Sequence, residues 1–123
     1  MMKLKIKTEN GEVVAELNDT LTAKKIFESL PFSGKANIWG EEIYFEIPVV
    51  AELEEPAKQE MEVGDLAYWP SGNAFCIFFG KTPASTSEKP CAISDVTFLG
   101  RVDDVSLFRD VADGDKIVLD KFE

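Results

Sequence analysis

Two apolar runs flank a turn within residues 64–83, GDLAYWPSGNAFCIFFGKTP, and this segment constrains the fold more than any other. The turn residues Pro-Ser-Gly-Asn separate the run 66–69 from the run 74–79, which predicts two adjacent strands. The second run is apolar at every position. Because a strand that is apolar on both faces is covered on both faces, the chain must supply two hydrophobic layers around it.

Side chains of a strand alternate between its two faces, so the second run divides into two sets. The bulky set is predicted to lie in the core, and the smaller set is predicted to form the floor of a groove. The core set is Phe75, Ile77 and Phe79, and the groove set is Ala74, Cys76 and Phe78.

The rest of the chain adds further strands and two helices. Alternating residues on either side of Asn10-Gly11 and of Gly40-Glu41 predict two hairpins. Apolar residues at helical spacing from Ala23 to Leu30 predict an amphipathic helix capped by Asp19 or Thr20, and residues 106–110 predict a short second helix. We therefore predict a mainly β fold: one domain, 1–123, forming a closed antiparallel barrel of about eight strands with two capping helices.

Composition narrows the classes of function. The formal net charge of -10 argues against nucleic-acid and membrane partners, which require basic patches. The beginning of the chain does not have the pattern of an export signal, which predicts a cytoplasmic protein. There is no histidine, and Cys76 and Cys91 have neither metal-site nor disulfide-framework spacing, so we expect no metal and no cofactor.

Three motifs resemble the small prokaryotic cyclophilin-like domains of uncharacterised function. They are WGEEIYFEIPV at 39–49, the segment 64–83, and FLGRV at 98–102. The resemblance implies a cyclophilin-like barrel of eight antiparallel strands closed by two helices, in agreement with the strands read from the residues. It also implies a binding groove on the outer face of the barrel, beside the two middle strands.

The fold is shared with the cyclophilin peptidyl-prolyl isomerases, whose chemistry depends on an arginine with a nearby histidine. This chain has no histidine, and its two arginines, Arg101 and Arg109, lie late in the sequence rather than on the early strand that carries the isomerase arginine. Isomerisation must overcome a barrier of about 18–20 kcal/mol with polar groups aimed at the twisting amide. We therefore do not expect isomerase activity, and whether the chain is an enzyme stays open.

Strand parity and the resemblance together predict where a ligand would bind. An aromatic-lined concavity with a few polar groups is the usual composition of a ligand pocket. For each residue the alternative is structural: Trp69 and Phe78 packing under the loop 80–92, Glu42 and Glu46 as solvated carboxylates, and Asn73 as a turn residue. The candidate ligand-binding residues are Glu42, Tyr44, Glu46, Trp69, Pro70, Asn73, Cys76, Phe78 and Thr82.

The leading hypothesis is a protein that binds a small molecule or a peptide segment in this groove. The alternatives are an enzyme, either a weak isomerase or a hydrolase that uses carboxylates, and a protein-interaction module that acts through a partner or as a homodimer. A carboxylate pair can serve as acid and base, but side chains two apart on a strand share a face in every β protein, so the spacing alone does not distinguish these alternatives.

Overall fold

The computed structural model describes residues 2–122, which form ten strands, one α-helix and two 3₁₀ helices. The strands are β1 (Lys3–Thr8), β2 (Gly11–Leu17), β3 (Phe32–Lys35), β4 (Asn37–Ile38), β5 (Glu42–Glu46), β6 (Ala57–Glu60), β7 (Asp65–Trp69), β8 (Ala74–Phe78), β9 (Cys91–Val102) and β10 (Lys116–Lys121). The α-helix, α1, is Leu21–Ser29, and the 3₁₀ helices are Pro70–Gly72 and Ser106–Asp110.

The strands form one antiparallel sheet in the order β3-β10-β1-β2-β9-β7-β8-β5-β4, with β6 paired to β9. The prediction of a mainly β, antiparallel fold is confirmed, but the prediction of a closed barrel of eight strands is wrong. The two ends of the sheet, β3 and β4, are separated in sequence by Ala36 alone. β3 pairs with β10 and β4 pairs with β5, so the chain itself links these two parts of the sheet at Ala36. In the order of the described strands, β3 and β4 do not pair with each other, and the sheet is open between them.

The prediction of two capping helices was also wrong, since the described residues contain one α-helix. Thr20 is its N-cap, and the Thr20 hydroxyl accepts a hydrogen bond from the Ala23 amide at 3.1 Å. The Glu54 carboxylate accepts two more amide hydrogen bonds from the first turn, from Leu21 and Thr22. Residues 106–110 tighten into a 3₁₀ turn that buries Phe108 in the core.

The main core lies on one face of the central strands. Phe75 and Ile77 of β8 are fully buried there, next to Phe45 of β5, whose ring centroid is 5.7 Å from that of Phe75. Phe79, just after β8, packs against the Phe108 ring in the same core. The predicted core residues Phe75, Ile77 and Phe79 thus lie in the main core, as the alternation of side chains along the strand predicts.

A second, smaller hydrophobic cluster covers the opposite face of β7 and β8, and we call it the outer layer. Its buried members are Met61, Ala67, Cys76, Phe78, Ala92 and Val96. The cover comes from a ribbon in which β6 pairs with the first half of β9, whereas the second half of β9 pairs with β7 and β2. This ribbon supplies the second layer that a strand apolar on both faces requires.

Gly100 lies in the second half of β9, beside a bulge and between the partner strands β7 and β2. The register of β9 with β7 shifts between Leu66 and Ala67, opposite Gly100 and Phe98, which marks a bulge. Gly100 has a φ of 152°, and a Cβ there would collide with the carbonyl oxygen of Glu16 on β2. Both the backbone conformation and the close strand approach therefore favour glycine at this position.

We expect Gly100→Ala to lower the free energy of unfolding by about 2 kcal/mol or more, because it adds a steric clash to backbone strain. Urea denaturation monitored by tryptophan fluorescence measures the loss. The matched control is Gly11→Ala, since Gly11 has a similar φ of 144° but no heavy atom within 4 Å of its Cβ position. Equal losses in the two variants would show that the approach to Glu16 does not constrain the fold.

Candidate functional site

A small pocket lies on the outer face of the sheet, where the outer layer ends. It has a volume of about 80 Å³. We call it the outer pocket, and it is lined by Trp39, Glu42, Tyr44, Trp69, Cys76, Ala92, Ile93 and Val96. Three aromatic side chains, one carboxyl and one thiol thus surround a space that is otherwise apolar.

Strand pairing brings these side chains together. Tyr44 on β5 is directly opposite Cys76 on β8, and Cys76 is in turn opposite Ala67 on β7. Glu42 is two residues before Tyr44 on β5 and therefore shares its face. Trp69 at the end of β7 completes the wall, since its ring meets that of Tyr44 edge to face, with centroids 6.1 Å apart and planes at 82°.

The Trp69 ring is held in place on two sides. Its indole N–H donates a hydrogen bond to the Ser94 hydroxyl at 2.9 Å. Gly72 packs so closely against the ring that a Cβ there would lie 2.7 Å from two ring carbons. The aromatic corner is therefore preorganised, which lowers the entropy cost of binding.

Glu42 is buried in the outer pocket, with only 6% of its surface exposed. In the described part of the chain, no Lys or Arg side chain forms an ion pair with it. Burial raises the pKa of Glu42 from 4.5 to about 7, and the neighbouring Cys76 thiol offsets part of the rise. Burial and the neighbouring Glu42 also raise the pKa of the Cys76 thiol well above its ordinary value. A buried carboxyl without a charged partner is a common mark of a functional site.

Four of the nine predicted ligand-binding residues line the outer pocket: Glu42, Tyr44, Trp69 and Cys76. Two others on the same strands lie elsewhere. Glu46 is exposed, four residues beyond Glu42 on β5 and hence roughly 14 Å along the strand. Phe78 is fully buried in the outer layer, beneath the ribbon. The structure therefore does not bring Glu42 and Glu46 together as a carboxylate pair.

The remaining three predicted residues have structural contacts. Asn73 takes the left-handed conformation at a φ of 48°, and its side-chain oxygen accepts a hydrogen bond from the Tyr68 hydroxyl. The Thr82 hydroxyl donates to the Cys91 carbonyl and orders the loop before β9. Pro70 begins the 3₁₀ turn and lines a separate shallow depression with Ile93.

Sequence reasoning missed four residues of the pocket. Three of them, Ala92, Ile93 and Val96, belong to the first half of β9. The sequence predicts a loop over residues 80–92, and therefore does not predict the start of this strand. Trp39 follows β4 in the turn of the second hairpin. The register of that hairpin could have predicted the position of Trp39, because a residue just before the turn lies near the start of β5.

Neither arginine lines the outer pocket. Arg101 donates a hydrogen bond to the Val63 carbonyl at 3.3 Å and lies 3.6 Å from the buried Asp65 carboxylate, which also binds Lys58. Arg109 is exposed on the second 3₁₀ helix.

Within residues 2–122, no three Cys, Asp or Glu side chains gather closely enough to hold a metal ion. None of the helices in this range is long and apolar enough to cross a membrane.

The antiparallel sheet with its two hydrophobic layers defines a mainly β protein of the cyclophilin-like class. A family model described as cyclophilin-like matches residues 2–120, and the chain belongs to that family. The solved solution structure of the hypothetical protein AF2241 from Archaeoglobus fulgidus is similar, with 39% identity and a TM-score of 0.84 over 98% of this chain and 95% of that chain. A comparison with curated proteins gives no match. The family resemblance inferred from the sequence motifs is confirmed.

We expect Glu42→Gln to stabilise the protein above pH 7. The folded state disfavours the ionised Glu42 carboxylate, so the wild type loses stability as pH rises from about 4.5 to about 7, and the amide variant avoids this loss. The difference in the free energy of unfolding between variant and wild type should grow by about 3 kcal/mol between pH 4 and pH 8. Urea denaturation across this pH range measures it.

The matched control is Glu46→Gln, which removes an exposed carboxylate from the same strand. Its stability difference from the wild type should change far less with pH than that of Glu42→Gln, because this side chain is exposed to water in the folded protein. If the two variants show the same pH profile, Glu42 does not have a raised pKa in the folded protein.

Proposed function

We propose that this protein binds a small molecule or a peptide side chain in the outer pocket. One observation carries the proposal: a buried carboxyl, Glu42, faces a space walled by Trp39, Tyr44 and Trp69. Burying a carboxyl without a charged partner costs stability, and natural proteins accept such a cost mainly where function requires it. The pocket combines apolar walls with a polar group that can fix the orientation of a ligand.

The size of the pocket supports a small ligand group. Its volume of about 80 Å³ is well below the roughly 300–1,000 Å³ of pockets that enclose drug-sized ligands. Trp39, Tyr44 and Trp69 are partly exposed at the mouth, so a larger molecule can place one group inside and leave the rest outside. A peptide side chain and the head group of a small metabolite both meet this condition.

The positions of the arginines support binding rather than proline isomerisation. Arg101 is engaged by Asp65 and the Val63 carbonyl, and Arg109 lies on a different element, so neither supplies a positive charge to the pocket. Catalysis of isomerisation needs preorganised polar groups that weaken amide resonance. The ionised Glu42 carboxylate only accepts hydrogen bonds, so it does not provide the polar donors that weaken amide resonance.

Binding is tested with a panel of small neutral, cationic and anionic fragments, observed by ¹H–¹⁵N correlation NMR of the protein. We expect at least one fragment to shift the indole N–H signals of Trp39 and Trp69 together with the amides of Glu42 and Tyr44. Trp39→Ala should weaken the binding of that fragment roughly fivefold or more, because it removes one aromatic wall worth about 1 kcal/mol or more.

The control variant is Phe122→Ala, which removes a partly exposed aromatic side chain outside the pocket. It should leave the affinity of the same fragment unchanged. If no fragment shifts the pocket signals, or if both variants weaken binding equally, the outer pocket is not a binding site.

A further inference from the structure

We infer that the group bound in the outer pocket is an alkylammonium cation. The inference rests on the proposed binding function and specifies its ligand class. It follows from a juxtaposition in the structure: Glu42, a buried carboxyl with no ion-pair partner among residues 2–122, lies between aromatic walls that meet at a right angle. Carboxylate and aromatic faces both attract a positive charge, and together they form an aromatic cage.

The aromatic walls supply the first half of the recognition. The face of an aromatic ring carries negative charge density, and a cation within about 6 Å of the ring centroid is attracted to it. The planes of Tyr44 and Trp69 differ by 82°, so the two rings form a corner rather than a flat stack. Trp39 lines the same space, which gives a bound cation a third aromatic neighbour.

Glu42 supplies the second half. Ion pairs engage several carboxylates in the described part of the chain, including the buried Asp65, but none engages Glu42. A cation in the pocket would give this carboxyl the partner that it lacks and offset its desolvation. The pocket-lining residues include no Lys or Arg, so an anionic group would face Glu42 without compensation.

The remaining features of the pocket agree with an alkylammonium group. Ala92, Ile93 and Val96 provide apolar contacts for methyl or methylene groups. The Trp69 indole N–H is already bonded to Ser94 and is not free to bind an anion. The net charge of -10 also raises the local concentration of cations at the surface.

The affinity of a permanently charged ammonium should rise with pH between about pH 5 and pH 8, because Glu42 attracts the cation only when it is ionised, and burial raises the pKa of this group to about 7. The other titratable side chains that line the pocket are Tyr44 and Cys76. The Cys76 thiol, with its strongly raised pKa, stays neutral in this range.

The test titrates the full chain with choline and with 3,3-dimethyl-1-butanol, its neutral isostere, using the Trp39 and Trp69 indole signals. We expect choline to bind at least tenfold more tightly at pH 8, and Glu42→Gln to remove most of that preference. The control Glu46→Gln removes the same charge from the exposed part of β5 and should leave the preference intact. Choline keeps its charge at every pH, so its pH dependence reports on the protein.

A second pair of probes distinguishes the source of the cation. n-Butylammonium represents a free amine, and lysine capped at both ends carries the same group on a peptide backbone. Tighter binding of capped lysine supports a peptide ligand, and equal or weaker binding supports a free amine. Either result agrees with recognition of an alkylammonium group.

The inference is overturned if choline and its isostere bind equally, if Glu42→Gln leaves the choline preference unchanged, or if neutral or anionic fragments alone shift the pocket signals. In these cases the proposed binding function still stands, because a probe still shifts the pocket signals, but the aromatic cage with Glu42 at its centre is not what recognises it. If neither the fragment panel nor any ammonium probe shifts the pocket signals, both the inference and the proposed function fail.

Discussion

The burial of β8 on both faces is the constraint on which the rest of the structure depends. One face carries Phe75 and Ile77 into the main core, and the other carries Cys76 and Phe78 into the outer layer. A single sheet with one hydrophobic face cannot cover such a strand, so the chain adds a ribbon of β6 and the first half of β9. At twelve residues, β9 is long enough to pair with β6 at one end and with β7 and β2 at the other, and so it joins this second layer to the main sheet.

The outer pocket is a consequence of the same cover. The ribbon buries Phe78 completely, but its apolar contacts end beside Tyr44 and Trp69, where both rings remain partly exposed. Glu42 lies at this boundary and shares a strand face with Tyr44. An apolar side chain at this position would complete the hydrophobic layer, but the chain has a carboxyl there. This departure from apolar packing coincides with the place where we propose that a ligand binds.

Strand parity predicted much of the arrangement. The division of β8 into two faces, the hairpin of β4 and β5, and a helix cap at Asp19 or Thr20 were accessible from residue spacing alone. Phe78 lies on the predicted outer face but does not line the outer pocket, because its cover includes Met61, which follows a charged stretch that has no strand pattern. Closure was predicted wrongly because the two ends of the sheet, β3 and β4, are consecutive segments on either side of Ala36 and do not pair with each other. Phe32–Lys35 has no apolar alternation, and its pairing with β10 depends on a long-range register that local sequence does not encode.

The position of β10 has a consequence for how the chain folds. β10 lies between β1 and β3 in the sheet, although nearly the whole described chain separates it from β1. The half of the sheet that contains β3 and β1 is therefore joined only after this distant strand pairs, and the loop-closure entropy is lost before the contacts of β10 can compensate for it. Among proteins of this size, such non-local pairing is typical of slow folders, whose unpaired strand edges stay exposed to other chains until the last strand docks.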